Sequence, residues 1–192
     1  MAILSIDPDR AARLLNIGPL VIVSTTYQGI TNAMPLAWIC PMGYNPATIS
    51  LVMNRGAYTR VLVEKSGHFM VQIPVADQLD TIISLGTQSL ADNPNKLAES
   101  GLELFTVEEA RGLPMMQGAV AWLLCSLIPD QYLNEHSNML IARVEQAWVA
   151  EEVFDNGYWD LDNCPPEKSP LHYVAGGKFY TVGKKIEVAN LD

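Results

Sequence analysis

Residues 19–74, PLVIVSTTYQGITNAMPLAWICPMGYNPATISLVMNRGAYTRVLVEKSGHFMVQIP, limit the possible folds more than any other stretch. Three apolar, β-rich runs (Pro19 to Thr26, Thr31 to Cys40, Ala47 to Asn54) lie between short, turn-rich gaps. Val21-Ile22-Val23 is β-branched and unbroken, the pattern of a strand covered on both faces. Tyr27-Gln28-Gly29 is a hairpin-sized connection with a glycine available for positive φ. Pro35 has no N–H, so it must sit at an edge or a bulge. Pro41 to Pro46 reads as a loop. After Asn54-Arg55-Gly56-Ala57-Tyr58-Thr59 the spacing turns helical over Tyr58 to Lys65, with Val61 and Leu62 inward and Ser66-Gly67 as the stop. Phe69 to Pro74 is a fourth strand. This unit reads as half of a small β-barrel.

The rest of the chain extends or covers that half. Asp7-Pro8 opens a capped helix reaching Asn16, closed by Gly18. Asp77 caps a short helix through Leu85, and Gly86 ends it. Residues 87–100 are a polar surface excursion with a helical turn over Asn95 to Ser100. Ala119 to Ile128 and Met139 to Val149 are strands separated by a polar connection carrying His136. Glu151 to Lys168 is acidic and turn-rich, with nothing to suggest a core element. The tail, Leu171 to Lys184, ends in a strand-like Phe179 to Val182. Strand runs with short helices at their joints indicate a mainly β fold of antiparallel strands, not alternating βαβ units. A length of 192 residues suits a single domain spanning 1–192.

A formal charge of −9, with no basic stripe, excludes non-specific nucleic-acid binding, which needs clustered Lys and Arg. No run approaches the ~18 apolar residues of a membrane span. Cys40, Cys125 and Cys164 are odd in number and widely spaced, which fits a reducing compartment and a cytoplasmic protein. No signal peptide pattern opens the chain.

Two segments carry chemistry. Between Met53 and Thr59 a strand delivers the chain to a helix start, where free N–H groups and the helix dipole attract an anion. Arg55 adds a fork of donors suited to phosphate. Thr59 can donate a hydroxyl, and Gly56 allows close approach of the backbone. The same residues also fit a plain helix start, with Asn54 as cap and Arg55 in solvent. In Thr31 to Trp38, small residues alternate with Met34 and Trp38, as in a flat apolar wall suited to a planar ring. An ordinary core strand reads the same way. His68, His136 and His172 are far apart and make no metal motif. There is no nucleophile elbow, Walker loop or Gly-x-Gly-x-x-Gly, and Cys125 reads as buried and inert. Any hard chemistry therefore falls to a cofactor.

Taken in order, these features resemble the FMN-binding split-barrel family that includes flavin reductases and flavoredoxins. They are the strand and Gly turn, Thr31-Asn32 to Trp38, Pro46, Asn54-Arg55 to Thr59, Gly67, and Phe69 to Pro74. Lys96, Pro114, His136 before Met139 to Val144, and Pro170-Leu171 to Gly176-Gly177-Lys178-Phe179-Tyr180 continue the likeness. The resemblance implies a split β-barrel that binds FMN. Its phosphate would lie at Asn54, Arg55, Ala57, Tyr58 and Thr59, and its ring along Asn32, Met34, Ala37 and Trp38. Lys96 and His136 would line the cofactor and nicotinamide side, with His136 the catalytic candidate, and Tyr180 would cover the ring. It also implies a homodimer and hydride transfer from NAD(P)H to flavin. Trp38 departs from the small polar residue common there. Two other readings remain open: a flavoredoxin-like carrier that holds FMN tightly and uses a redox protein partner, and a split barrel for another planar ligand such as haem.

Overall fold

The computed structural model describes residues 3–10 and 20–186. The expected helix from Asp7 to Asn16 lies mostly outside the described residues. What is described there is β1 (Ile3–Ile6) and a 3-10 turn at Pro8–Arg10, where the Asp7 carboxylate accepts the Asp9 N–H at 3.0 Å.

Strands β2 (Val21–Tyr27) and β3 (Ile30–Leu36) form the expected hairpin, with Gln28 and Gly29 at positive φ in its turn. The run read as one strand to Cys40 breaks at Ala37-Trp38, and β4 (Ile39–Tyr44) occupies most of what reads as a loop. The proline and glycine that suggest a loop are tolerated because β4 is an edge strand with an irregularity between Pro41 and Gly43. β5 (Ala47–Val52) leads to helix α1 (Tyr58–Ser66), closed by Gly67. Gly67 is in the left-handed region at φ 71°, and its N–H reaches the Val63 carbonyl at 2.9 Å. The buried face of α1 is Thr59, Arg60, Leu62 and Val63. Val61, expected inward, is only half-buried because an arginine takes its share of the interior.

β6 (His68–Ile73) is followed by a 3-10 turn and α2 (Leu79–Thr87). Asp77 does not cap that helix. The Gln78 side chain accepts the Val75 N–H at 3.1 Å instead, while Asp77 pairs with Lys168. Gly86 does not end it either, since the helix runs one residue further. The one-turn helix α3 (Lys96–Glu99), the paired short strands β7 (Leu104–Phe105) and β8 (Met115–Met116), and β9 (Ala121–Ile128) follow. The polar connection around His136 is a short helix, α4 (Gln131–His136), capped by the Asp130 carboxylate on the Leu133 N–H at 2.9 Å. β10 (Met139–Ala150) is the longest strand. The small hairpin of β11 (Phe154–Asp155) and β12 (Tyr158–Trp159) corrects the reading of the acidic segment, because Val153 and Phe154 are buried in the core. β13 (Leu171–Ala175) and β14 (Lys178–Thr181) form the tail hairpin.

The main sheet runs β3-β2-β6-β9-β10-β5-β4, with β1 also paired to β10. Its two edges, β3 and β4, are consecutive in sequence and joined by only Ala37-Trp38. Three Cα steps span at most about 11 Å, so the sheet must curl until its edges meet. They meet without pairing to each other, and this makes the split barrel. Trp38, between the two edges, extends the β4-β5 ladder by one bond, its carbonyl accepting the Val52 N–H at 2.9 Å.

Alternate residues on the central strands serve two cores. Val21, Val23, Phe69, Val71, Leu123 and Cys125 pack in one. Ile22, Met70, Trp122 and Leu124 pack in the other, under α2 and the tail. A one-residue slip would exchange the two sets, so both cores fix the register. The same face as the second core carries a buried polar cluster. The Gln72 amide donates to Ser24 Oγ at 2.8 Å, its oxygen accepts the Met116 N–H, and Ser24 donates to the Pro114 carbonyl at 2.6 Å. No described helix is long and apolar enough to cross a membrane.

Candidate functional site

The strand-to-helix junction after β5 is built from the backbone outward. The Asn54 side chain accepts the Gly56 N–H at 2.8 Å, and its carbonyl accepts the Ala57 N–H at 2.9 Å. Asn54 therefore makes a tight turn ahead of the helix. It is not the cap, which falls on Ala57. No side chain caps α1, and no acidic residue stands in its first turn. The first-turn N–H groups are thus left as donors at the positive end of the helix. Nothing within the chain demands glycine at 56, where a Cβ would meet only Asn54 Oδ1, at 3.4 Å. The Arg55 side chain is exposed and forms no ion pair among the described residues, while its own N–H donates to Asn138 Oδ1 at 3.1 Å.

A hollow of about 230 Å³ opens beside this junction, lined by Asn32, Met34, Ala57, Tyr58, Thr59 and Lys96 together with Pro35, Leu85, Gly86 and residues 88–90. Asn32 is 1 % exposed. Its Nδ2 donates to Thr59 Oγ1 at 3.0 Å, which leaves the Thr59 proton free to be donated onward. Among the described residues, Asn32 Oδ1 is buried with no hydrogen-bond partner. A buried acceptor without a donor is costly in a finished interior, so the position suits a ligand that brings an N–H or O–H. Lys96 is 2 % exposed, with its ammonium on the Ala33 carbonyl at 2.8 Å. Burial holds its ammonium below the usual lysine range. The excursion of residues 87–100 is thus more than surface, since it inserts this lysine and gives the hollow a wall.

A second hollow of about 370 Å³ shares Pro35 and Gly86 with the first and is mostly apolar. Ala37 lines it, along with Ile82 on α2 and Tyr173 and Phe179 of the tail hairpin. The two together fall in the range of roughly 300–1,000 Å³ usual for small-molecule sites.

The structure therefore gathers Asn32, Met34, Ala57, Tyr58, Thr59 and Lys96 around one hollow, places Asn54 and Arg55 at its rim turn, and puts Ala37 in the adjoining one. Trp38 is 72 % exposed at the barrel seam and lines neither. Tyr180 is 63 % exposed on β14 opposite His172, and only its hairpin neighbours reach the second hollow. His136 is 61 % exposed at the end of α4, against the Tyr132 ring at 5.0 Å, and lines neither hollow.

Two residues that shape the junction escape a sequence reading. Arg60 is almost fully buried, its Nη1 bridging the carbonyls of Met53 at 2.8 Å and Ser137 at 3.1 Å, with Nε on Glu64 at 3.0 Å. The only sequence signal is the i, i+4 spacing of Arg60 and Glu64, which ordinarily marks an exposed helix face. Asn138 carries no sequence signal.

The fold and sequence are similar to those of known proteins. The pattern of the family described as flavin reductase like domain matches residues 15–182. A crystal structure from Shewanella baltica OS155, described as an FMN-binding domain of a flavin reductases-like enzyme, is 40% identical. It superposes with a TM-score of 0.94 over 97% of each chain. The flavoredoxin of Desulfovibrio vulgaris (Miyazaki F) shares the fold, at 22% identity and a TM-score of 0.75 over 91% of each chain. The Escherichia coli protein YddH is 28% identical over 94% of this chain and 95% of its own length. The chain belongs to the flavin reductase like domain family.

Proposed function

We propose that this protein is an FMN-binding oxidoreductase that draws reducing equivalents from NAD(P)H and delivers them to flavin or a downstream acceptor. One observation carries the reading. An uncapped helix start and an unpartnered buried amide oxygen, Asn32 Oδ1, converge on one hollow, with the exposed Arg55 two residues ahead of the helix cap at Ala57. That donor and acceptor set fits a ligand with an anionic end and N–H or O–H groups further along, as FMN has. Arg55 and the first-turn N–H groups of α1 would hold the phosphate, with the Thr59 hydroxyl as a further donor. Asn32 and Lys96 would meet the polar edge of the ring system, and Met34 its apolar face. When bound, FMN supplies the redox chemistry, accepting hydride from a reduced nicotinamide. The protein's part is to align the rings, exclude water and fix donors around the cofactor. His136 would serve the nicotinamide side, a role supported by its exposure and by its place two residues before Asn138, which holds the Arg55 turn.

A homodimer is part of the proposal, supported by the exposed Trp38, Met42 and Tyr44 on and beside the edge strand β4. The three free cysteines support a cytoplasmic setting. A second reading, an electron carrier with tightly held FMN, is favoured by the net charge of −9, which suits docking to a basic redox partner. The purified protein is tested by its absorption spectrum and by NAD(P)H oxidation with added FMN. A flavin spectrum with turnover supports the reductase. A flavin spectrum without turnover on either nicotinamide moves the assignment to the carrier, and a haem band refutes both.

A further inference from the structure

The turn that faces the hollow is held from outside by one side chain. Arg55 N–H donates to Asn138 Oδ1 at 3.1 Å, and the Asn138 carbonyl accepts the Met53 N–H at 2.8 Å. Asn138 thus grips the chain on both sides of Asn54. The next residue back, Ser137, gives its carbonyl to Arg60, which also binds the Met53 carbonyl. Within the turn the Gly56 and Ala57 N–H groups are already committed to Asn54. Asn138 takes up the Arg55 N–H, so the N–H groups of residues 55, 56 and 57 are all committed and the helix start supplies the donors that face a ligand. Its side chain therefore sets where Arg55 leaves the backbone and keeps the free donors together at the first turn of α1. Asn138 lies outside the hollow and its side chain bonds the Arg55 N–H, so it acts through Arg55 and not on a ligand directly.

We propose that Asn138 is a positioning residue for the phosphate end of the site, and that it sets the preference of this protein for phosphorylated over unphosphorylated flavin. The proposal rests on the FMN reading above and adds to it. Loss of the Asn138 amide frees the Arg55 N–H to water and loosens the turn. The part of the hollow formed by Asn32, Met34 and Lys96 belongs to other elements and keeps its shape. Contacts to a ring should survive, and contacts to a phosphate should not.

The test is to titrate wild-type protein and Asn138→Ala with FMN and with riboflavin, following flavin fluorescence, and to record thermal unfolding of both proteins. Asn138→Ala should lose about fivefold in FMN affinity, the worth of one hydrogen bond, with riboflavin affinity changed by less than about twofold. If the alanine variant is unstable, Asn138→Gln, which keeps the amide but moves its oxygen by one methylene, should give the same split. FMN affinity that stays at the wild-type level, or an equal loss for both flavins, overturns the proposal. If wild-type protein binds neither flavin, the FMN reading falls and takes this assignment with it. If wild-type protein binds FMN and the variants show no split, this assignment falls alone.

Discussion

Arg60 offers the sharpest test of how the site is anchored. Its guanidinium is buried, and its hydrogen bonds include one to Glu64 and two to backbone carbonyls. Replacing it by methionine keeps the apolar stem and removes every donor. The Met53 carbonyl sits in a fully buried residue, so losing its donor should cost about 1–3 kcal/mol. The Ser137 carbonyl is half-buried and water can replace part of its bond, adding about 0.5–1 kcal/mol. Glu64 is 34 % exposed and rehydrates when its partner leaves, so the ion pair contributes about 0.5 kcal/mol or less. Arg60→Met should therefore destabilise the protein by about 3 kcal/mol, a fall of roughly 6–12 °C in Tm for a chain of this size. Arg60→Lys, which can reach one carbonyl but not bridge two, should cost about half as much. Urea unfolding with an unchanged slope is the measurement, and Glu64→Gln is the control, expected to cost no more than about 0.5 kcal/mol. A loss below about 1 kcal/mol in Arg60→Met would refute the bridging role. A Glu64→Gln variant as unstable as Arg60→Met would show that the charge pair, not the carbonyl bridge, holds the junction.

Three further outcomes follow from the structure. Arg55→Ala should weaken FMN binding by about tenfold through loss of a charge-assisted contact, with the unfolding midpoint unchanged because the side chain is solvent-exposed; equal affinity in an FMN titration would remove it from the site. Burial lowers the proton affinity of Lys96 in the folded state, while the unfolded chain keeps its proton up to about 10.5. Stability should therefore rise with pH in the alkaline window below that value, and urea midpoints of Lys96→Met across the window should lack this rise; parallel curves for the two proteins would contradict it. Thiol labelling of the native protein should modify exposed Cys40 first and half-buried Cys164 more slowly. Cys125, fully buried and with its thiol pushed far up by burial and by Glu145, should react only on unfolding, and native-state labelling there would count against the packing of β9.

The strands that form the two cores were legible because their composition leaves few alternatives. Val21-Ile22-Val23 and Ala119 to Ile128 are almost wholly apolar, as a strand between two cores must be, and Met139 to Val149 keeps an unbroken apolar face. β4 was hidden because Pro41 and Gly43 are turn signals locally, and only the edge position given by the whole sheet makes them harmless. Arg60 and Lys96 were hard to place for a different reason. A charged residue in a polar stretch reads as solvated, and its burial is decided by carbonyls distant in sequence, those of Met53 and Ser137 for Arg60 and that of Ala33 for Lys96. The strand-to-helix junction at 54–59 was readable from strand, glycine and helix start. That Asn54 shapes the turn, and that the cap position falls on Ala57, required coordinates. Trp38 and Tyr180 drew notice as aromatics near the motif, yet their exposure follows from the barrel seam and from a two-stranded hairpin, features that appear only once the sheet has closed.

The place of β10 in the sheet also bears on how the chain is made. Among the described residues β1 has no other strand partner and β5 pairs otherwise only with its neighbour β4, so both must wait for residues 139–150. On the ribosome the β2-β3 hairpin and β6 can assemble early, with helix α1 docked against them. The other side of the barrel stays open until the last quarter of the chain emerges. Through that interval the inner faces of β5 and β9 are wet and unpaired on one side, the condition under which a nascent protein depends most on chaperones and on not meeting another copy of itself.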